Sequence, residues 1–120
     1  MMRGPGAQAA PLARRPSPTL RVANLKIRPE EFEVLADDRR VGLTLREFQV
    51  FLALAERYDR VVPRPELYAH VWGATMAKRD RSVDVFVRKV RRKLATAAPD
   101  WIYIHTHFGI GYRFTPERSP

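Results

Sequence analysis

The chain contains no cysteine. Disulfides and cysteine-based zinc sites are therefore excluded, and a reducing cytoplasmic setting fits. No apolar run approaches the roughly 18 residues that a membrane span needs. Arg14 and Arg15 stand near the N-terminus, but no apolar signal segment follows them, so export is not expected. Internal repeats, a glycine-rich phosphate loop, a nucleophile motif and paired carboxylates suited to acid–base work are all missing. His105 and His107 lie two apart on one strand face, without the third ligand that a zinc site needs. These absences argue against an enzyme, a cofactor or a metal centre.

Acidic residues are scarce, 13 against 22 Lys and Arg, for a net charge of +9 over 120 residues. The excess is localised. Between Thr19 and Ala77 nine basic and nine acidic residues cancel, whereas Lys78 to Lys93 holds eight basic and two acidic ones. A balanced body with one basic segment points to a confined polyanion site and not to a diffusely adhesive surface.

That segment contains R-S-V-D-V-F-V-R-K-V-R-R-K-L, Arg81 to Leu94. On a helix advancing about 100° per residue, Val83, Val87, Val90 and Leu94 share one stripe, with Phe86 beside it. Arg81, Val85, Arg88 and Arg92 lie opposite, flanked by Asp84, Lys89 and Arg91. A solvated helix face usually mixes signs at i, i+4 spacing. Here Arg88, Lys89, Arg91, Arg92 and Lys93 repel one another unless something anionic binds. Val85 among them suits a thymine methyl, and the cations suit phosphates and guanine edges. The reading is a DNA recognition helix. Asp80 and Asp84 are expected to pair with arginine or to accept from a cytosine amino group.

Taken in order, residues 1–18 hold four prolines and almost nothing to bury, which predicts a disordered arm whose arginines add weak phosphate contacts or none. A domain is expected over 19–116. Leu20/Val22, Leu25/Ile27, Phe32/Val34/Ala36 and Val41/Leu43 predict a small antiparallel sheet with one buried face. Thr44-Leu45-Arg46-Glu47 fits a capping box opening a helix, with Leu45, Phe48, Phe51, Leu52 and Ala55 as its apolar stripe. Val61-Val62 is a short extended piece. A second helix begins at Pro63-Arg64-Pro65-Glu66, buries Leu67 and Val71, and stops near Trp72 and Gly73. After the basic helix comes a turn at 96–100. Strands at 101–106 and 111–115 follow, with Ile102, Ile104 and Thr106 alternating against Trp101, Tyr103 and His105. His107-Phe108-Gly109-Ile110 forms the tip of their hairpin. The class is α+β, a winged helix-turn-helix: an N-terminal antiparallel sheet, a three-helix bundle and a C-terminal β-hairpin wing.

In this order and spacing, L-T-L-R-E-F (43–48), R-V-V-P-R-P-E-L (60–67), V-W-G (71–73), the helix sequence at 81–94 and G-I-G-Y-R-F (109–114) resemble the OmpR/PhoB-type DNA-binding domain of bacterial response regulators. The resemblance covers Leu20 to Phe114. It implies the third helix in the major groove, the wing in the adjacent minor groove, and head-to-tail dimers on direct repeats. The loop 73–79 would meet RNA polymerase. Carried over by position, Arg81, Ser82, Arg88, Lys89 and Arg91 would contact phosphates and bases, and Val85 would make an apolar base contact. Arg64 and Trp72 would contact the backbone from the second helix, and Thr106 and Tyr112 from the wing. Arg92 is added from the helical geometry.

The sequence departs from that pattern in three places. Phe108, preceded by His107, stands where the family often places a minor-groove arginine, so the wing would wedge against sugars or pack. Both residues are carried as DNA contacts on that basis. Pro63 replaces a common Ser or Thr cap, at a cost of about 1 kcal/mol. The phosphorylated receiver domain of a two-component regulator does not precede residue 19, which suggests a free-standing effector domain or a fragment. Two other readings stand beside a sequence-specific regulator: a non-specific architectural DNA binder, and a winged-helix protein adaptor working through the loop around Met76. Trp72, Tyr103 and Tyr112 are expected in the scaffold and not as a platform for single strands.

Overall fold

A computed structural model describes residues 19–120. The arm expected over 1–18 lies outside the described residues. Four short strands open the described residues: β1 (Leu20–Val22), β2 (Leu25–Arg28), β3 (Glu33–Ala36) and β4 (Arg39–Val41). They pair antiparallel in sequence order. A two-residue turn joins β3 to β4, with Asp37 and Asp38 both at positive φ (50° and 65°). That is type I′ geometry, which aspartate tolerates and which matches strand twist. Leu25, Ile27, Val34, Ala36 and Val41 form the buried face of this sheet.

Helix α1 (Leu45–Glu56) starts at the expected capping box. Thr44 N–H donates to Glu47 Oε1 at 2.8 Å, and Glu47 N–H donates to Thr44 Oγ1 at 3.3 Å. Its buried face differs from the expected stripe. Phe48, Val50, Phe51, Ala53, Leu54 and Ala55 are buried, Leu52 only partly, and Leu45 is 57% exposed. The reason is position: α1 packs against both other helices and the last strand of the chain, so it buries a wide arc, while Leu45 projects from its first turn.

Helix α2 (Arg64–Trp72) has Pro63 as its N-cap, with no side-chain capping bond, and Pro65 in its first turn. It ends at Gly73, whose φ of 72° is the left-handed conformation glycine takes without strain. Helix α3 (Ser82–Ala97) runs three residues beyond the expected Leu94, which shortens the following turn. Val83, Val87, Val90 and Leu94 are buried, as the stripe predicts.

The C-terminal strands are β6 (Trp101–His107) and β7 (Gly111–Arg118). The alternation expected along β6 is broken. A register shift between Ile102 and Ile104 lets Tyr103 and Ile104 both turn inward and leaves Ile102 outside. Such a bulge inserts one residue and reverses the phase of the strand. The Val61-Val62 piece is strand β5 (Val61–Pro63), which pairs with β7 and makes the wing a three-stranded sheet of order β5-β7-β6. Its closeness depends on Gly111, where an added Cβ would sit 1.9 Å from the Val62 carbonyl oxygen.

Gly111→Ala should therefore push β5 off β7 and destabilise the fold by about 3 kcal/mol. Urea unfolding of the variant against the wild type measures this, and an unchanged midpoint would show that β5 moves aside freely.

Candidate nucleic-acid interface

The outer face of α3 carries Arg81, Arg88 and Arg92, all exposed, with Val85 half-exposed among them. Among the described residues no acidic side chain lies within ion-pair distance of these three arginines. Lys78 and Arg79, exposed in the loop before α3, are likewise unpaired. The helix start is fixed by Asp80, whose carboxylate accepts the Ser82 N–H at 2.8 Å. Five cations thus lie along one face and its approach, held by a buried stripe behind them.

The other cations of the segment are committed. Lys93 donates to Glu47 at 2.7 Å, and Glu47 is only 3% exposed. Lys93 therefore does not belong to the repelling outer face, where the sequence reading put it. Burial opposes the charge on Glu47, but the bonds from Lys93 and Thr44 outweigh it and hold the carboxyl below its ordinary value. Arg91 turns towards the wing. It donates to the Ile104 carbonyl at 3.1 Å and to the Thr106 hydroxyl, and its guanidinium lies 5.4 Å from the Tyr112 ring centre. Burial pulls its pKa below the ordinary arginine value.

Asp84 joins three elements. It accepts from Arg64 Nε of α2 at 2.7 Å and from the Tyr112 hydroxyl of β7. Arg64 also lies over the Tyr112 ring, 4.9 Å from its centre. Burial opposes the Asp84 charge, yet the hydrogen bonds from Tyr112 and Arg64, with the nearby charges of Arg64 and Arg81, hold its carboxyl below the ordinary 3.8. The sequence-based expectation that Asp84 pairs with arginine matches this geometry.

Aromatic rings back the α2–α3 side. Trp72 stacks on Tyr68 at 4.8 Å and meets Phe86 edge-on at 5.7 Å. Arg46 lies over Trp72, the middle ring of this ladder, and Lys89 over Phe86 at one end of it. Tyr103 and Tyr112 are buried. None of these rings forms an open stacking platform. At the wing tip Phe108 is 91% exposed and Ile110 53% exposed, so Phe108 does not pack. His107 Nε2 accepts from Arg113 Nε at 3.1 Å, and His105 Nε2 lies 2.8 Å from the Thr115 carbonyl oxygen. Among the described residues no cluster of three metal-ligating side chains occurs.

Seven of the expected site residues fall into two contrasting sets. Arg64, Arg91, Thr106 and Tyr112 are brought together around the α3–wing junction, while Arg88 and Arg92 stand free and Arg81 acts on Asp84 through its charge without forming an ion pair. Lys78 and Arg79 belong to the basic segment, and nothing in the sequence pattern distinguishes them from its other cations. Their isolation depends on a loop conformation, with Arg79 at φ 63°, that periodicity does not encode.

The arrangement is that of a winged-helix domain with a cationic third helix. The family model described as "Transcriptional regulatory protein, C terminal" matches residues 38–114, and the chain belongs to this family, that of the OmpR/PhoB-type DNA-binding domains. It is 34% identical over 94 residues to the alkaline phosphatase synthesis transcriptional regulatory protein SphR of Synechococcus elongatus, covering 78% of this chain and 37% of that protein. With the transcriptional regulatory protein HprR of Escherichia coli it shares 31% over 101 residues, 84% of this chain and 45% of the relative. The chain therefore spans less than half the length of these relatives. Among solved structures, the DNA-binding domain of Klebsiella pneumoniae RstA in complex with the RstA box superposes with a TM-score of 0.75 at 29% identity, covering 82% of this chain and 98% of that one. The family is not an enzyme class. Among the described residues no helix is long and apolar enough to cross a membrane.

Asp84's depressed carboxyl stabilises the fold fully above its unfolded value near 3.8, and that contribution disappears as pH falls through the lower folded-state value. Asp84→Asn should lower stability by about 1–3 kcal/mol at neutral pH, and the gap to the wild type should narrow below about pH 4. Urea melts across that range test the linkage; a gap independent of pH would remove Asp84 from the titrating groups that hold the fold.

Proposed function

We propose that this chain binds duplex DNA in a sequence-specific manner, as the DNA-binding part of a transcriptional regulator in the cytoplasm. The observation that carries the reading is the outer face of α3, where Arg81, Arg88 and Arg92 stand exposed and unpaired around Val85. In this reading α3 enters the major groove. Arg88 and Lys89 reach base edges or phosphates, Val85 meets a thymine methyl, and Arg81, Ser82 and Arg92 hold phosphates. Arg64 and Trp72 contact the backbone from α2. Thr106 and His107 contact it from the wing, while the buried Tyr112 and Arg91 serve mainly by fixing the wing to α3. The RstA domain solved with its box supports the mode of binding.

Two finer points belong to the same proposal. Two copies would bind head to tail on direct repeats, and loop 73–79 would present a surface to RNA polymerase. Met76 packs partly against the core and would anchor that loop.

The test is selection from a randomised duplex library, then titration of the enriched site and a scrambled duplex at several salt concentrations. A direct repeat bound at least about a thousandfold tighter than scrambled DNA is expected. Equal affinity for both, with a steep salt slope, would leave a non-specific architectural binder. No duplex binding would move the search to protein partners.

On the enriched site Arg88→Ala should cost roughly 1–3 kcal/mol and weaken specific binding more than non-specific binding; equal losses would make Arg88 a phosphate contact alone. Phe108→Arg, at a side chain that packs against nothing, should strengthen binding when the flanks are rich in A·T pairs, because arginine favours their narrow minor groove. A weaker complex in the same titration would mean that the apolar ring itself makes the contact.

A further inference from the structure

A groove of about 550 Å³ runs between β4 and the last turns of α3, lined by Arg39, Arg40, Arg92, Lys93 and Thr96. Four cations border it, and they are not equivalent. Lys93 is held by Glu47 at 2.7 Å, and Arg40 by Glu33 at 3.1 Å. Arg39 and Arg92 have no acidic partner within ion-pair distance among the described residues. One stands on the sheet wall and the other on the helix wall. Two unpaired guanidiniums bordering one concave surface raise its potential, and a bound anion relieves the repulsion. The groove is also continuous with the outer face of α3, because Arg92 lies one helical turn after Arg88.

We infer that this groove receives the phosphate backbone of the duplex, so that Arg39 of the N-terminal sheet clamps the strand flanking α3 together with Arg92. The inference rests on the DNA-binding reading above and extends the contact surface to an element outside the helix-turn-helix and the wing. Phosphate contacts fix orientation and carry no sequence information directly. Arg39 would therefore set how α3 lies in the groove without choosing the bases.

The experiment is titration of the whole chain against a duplex carrying one binding site, and against a scrambled duplex, over a range of salt. Arg39→Gln and Arg92→Gln should each weaken binding about three- to tenfold on both duplexes, and each should reduce the slope of log K against log salt by about 0.9. Arg21→Gln removes an exposed cation of β1 that does not line the groove, and its slope should equal the wild-type value. Both arginines are exposed, so neither substitution threatens folding. An unaltered slope in Arg39→Gln would overturn the inference. So would a defect seen only on two-site duplexes, which would give the groove to a second copy of the chain. Stabilisation by inorganic phosphate that Arg39→Gln abolishes, with the duplex slope unchanged, would give it to a small free anion and overturn it equally. Failure of the wild-type chain to bind any duplex would remove the underlying reading as well, whereas duplex binding with an unaltered Arg39→Gln slope removes this inference alone.

Discussion

The carboxylate of Asp84 is the point through which α2, α3 and the wing are set relative to one another. It accepts from Arg64 at the start of α2 and from Tyr112 on β7, while its own residue sits in the first turn of α3. A carboxylate near a helix N-terminus also meets the positive end of the helix dipole. A second junction lies further along α3, where Arg91 reaches the Ile104 carbonyl and the Thr106 hydroxyl of β6. The angle between α3 and the wing is thus defined at two places. Removing Asp84 would free one; the Arg91 contact would then act as a hinge.

A surface this basic repels itself, and the fold limits that repulsion by dividing its cations. Arg46, Arg64, Arg91 and Lys93 are tied to carbonyls, carboxylates or ring faces. Their charge serves packing. Among the described residues Arg81, Arg88 and Arg92 form no ion pair on the exposed side of the same helix, and only Arg81 has a carboxylate, that of Asp84, near enough to feel its charge. Alternation between the two sets follows helical geometry: Arg91 and Lys93 flank Arg92 at about 100° on either side, and so turn towards the wing and α1 while Arg92 faces out.

This division marks the limit of what could be read from the chain. The element order, the capping box at Thr44, the stop at Gly73 and the buried stripe of α3 follow from local rules, and all are legible. Lys93 was not. Its one-dimensional neighbourhood is a run of like charge, and its partner Glu47 is 46 residues away. The bulge in β6 was equally hidden, because the pattern Trp-Ile-Tyr-Ile fits either phase of a strand and only the pairing with β7 decides between them. Strand β5 read as an isolated extended piece since its partner lies about fifty residues downstream. For the site, residue types on the outer face of α3 were legible from periodicity. Which of them are already occupied within the protein was not, because occupancy is a tertiary property.

The free arginines sit on a support that is fixed before any ligand arrives. Asp80 holds the first turn of α3, Asp84 ties it to α2 and the wing, four apolar residues bury its inner face, and Lys93 joins it to α1 near the other end. Ordering on binding is then confined to side chains, at roughly 0.5–1.5 kcal/mol for each long one immobilised. Phosphate contacts tolerate loose side chains; a bidentate contact to a base edge does not, because it needs the helix axis and rotation held. In the proposed DNA-binding mode, the internal ion pairs of α3 would therefore matter to base discrimination more than to bare affinity. Their carboxylates fix the helix from the side of α1, α2 and the wing.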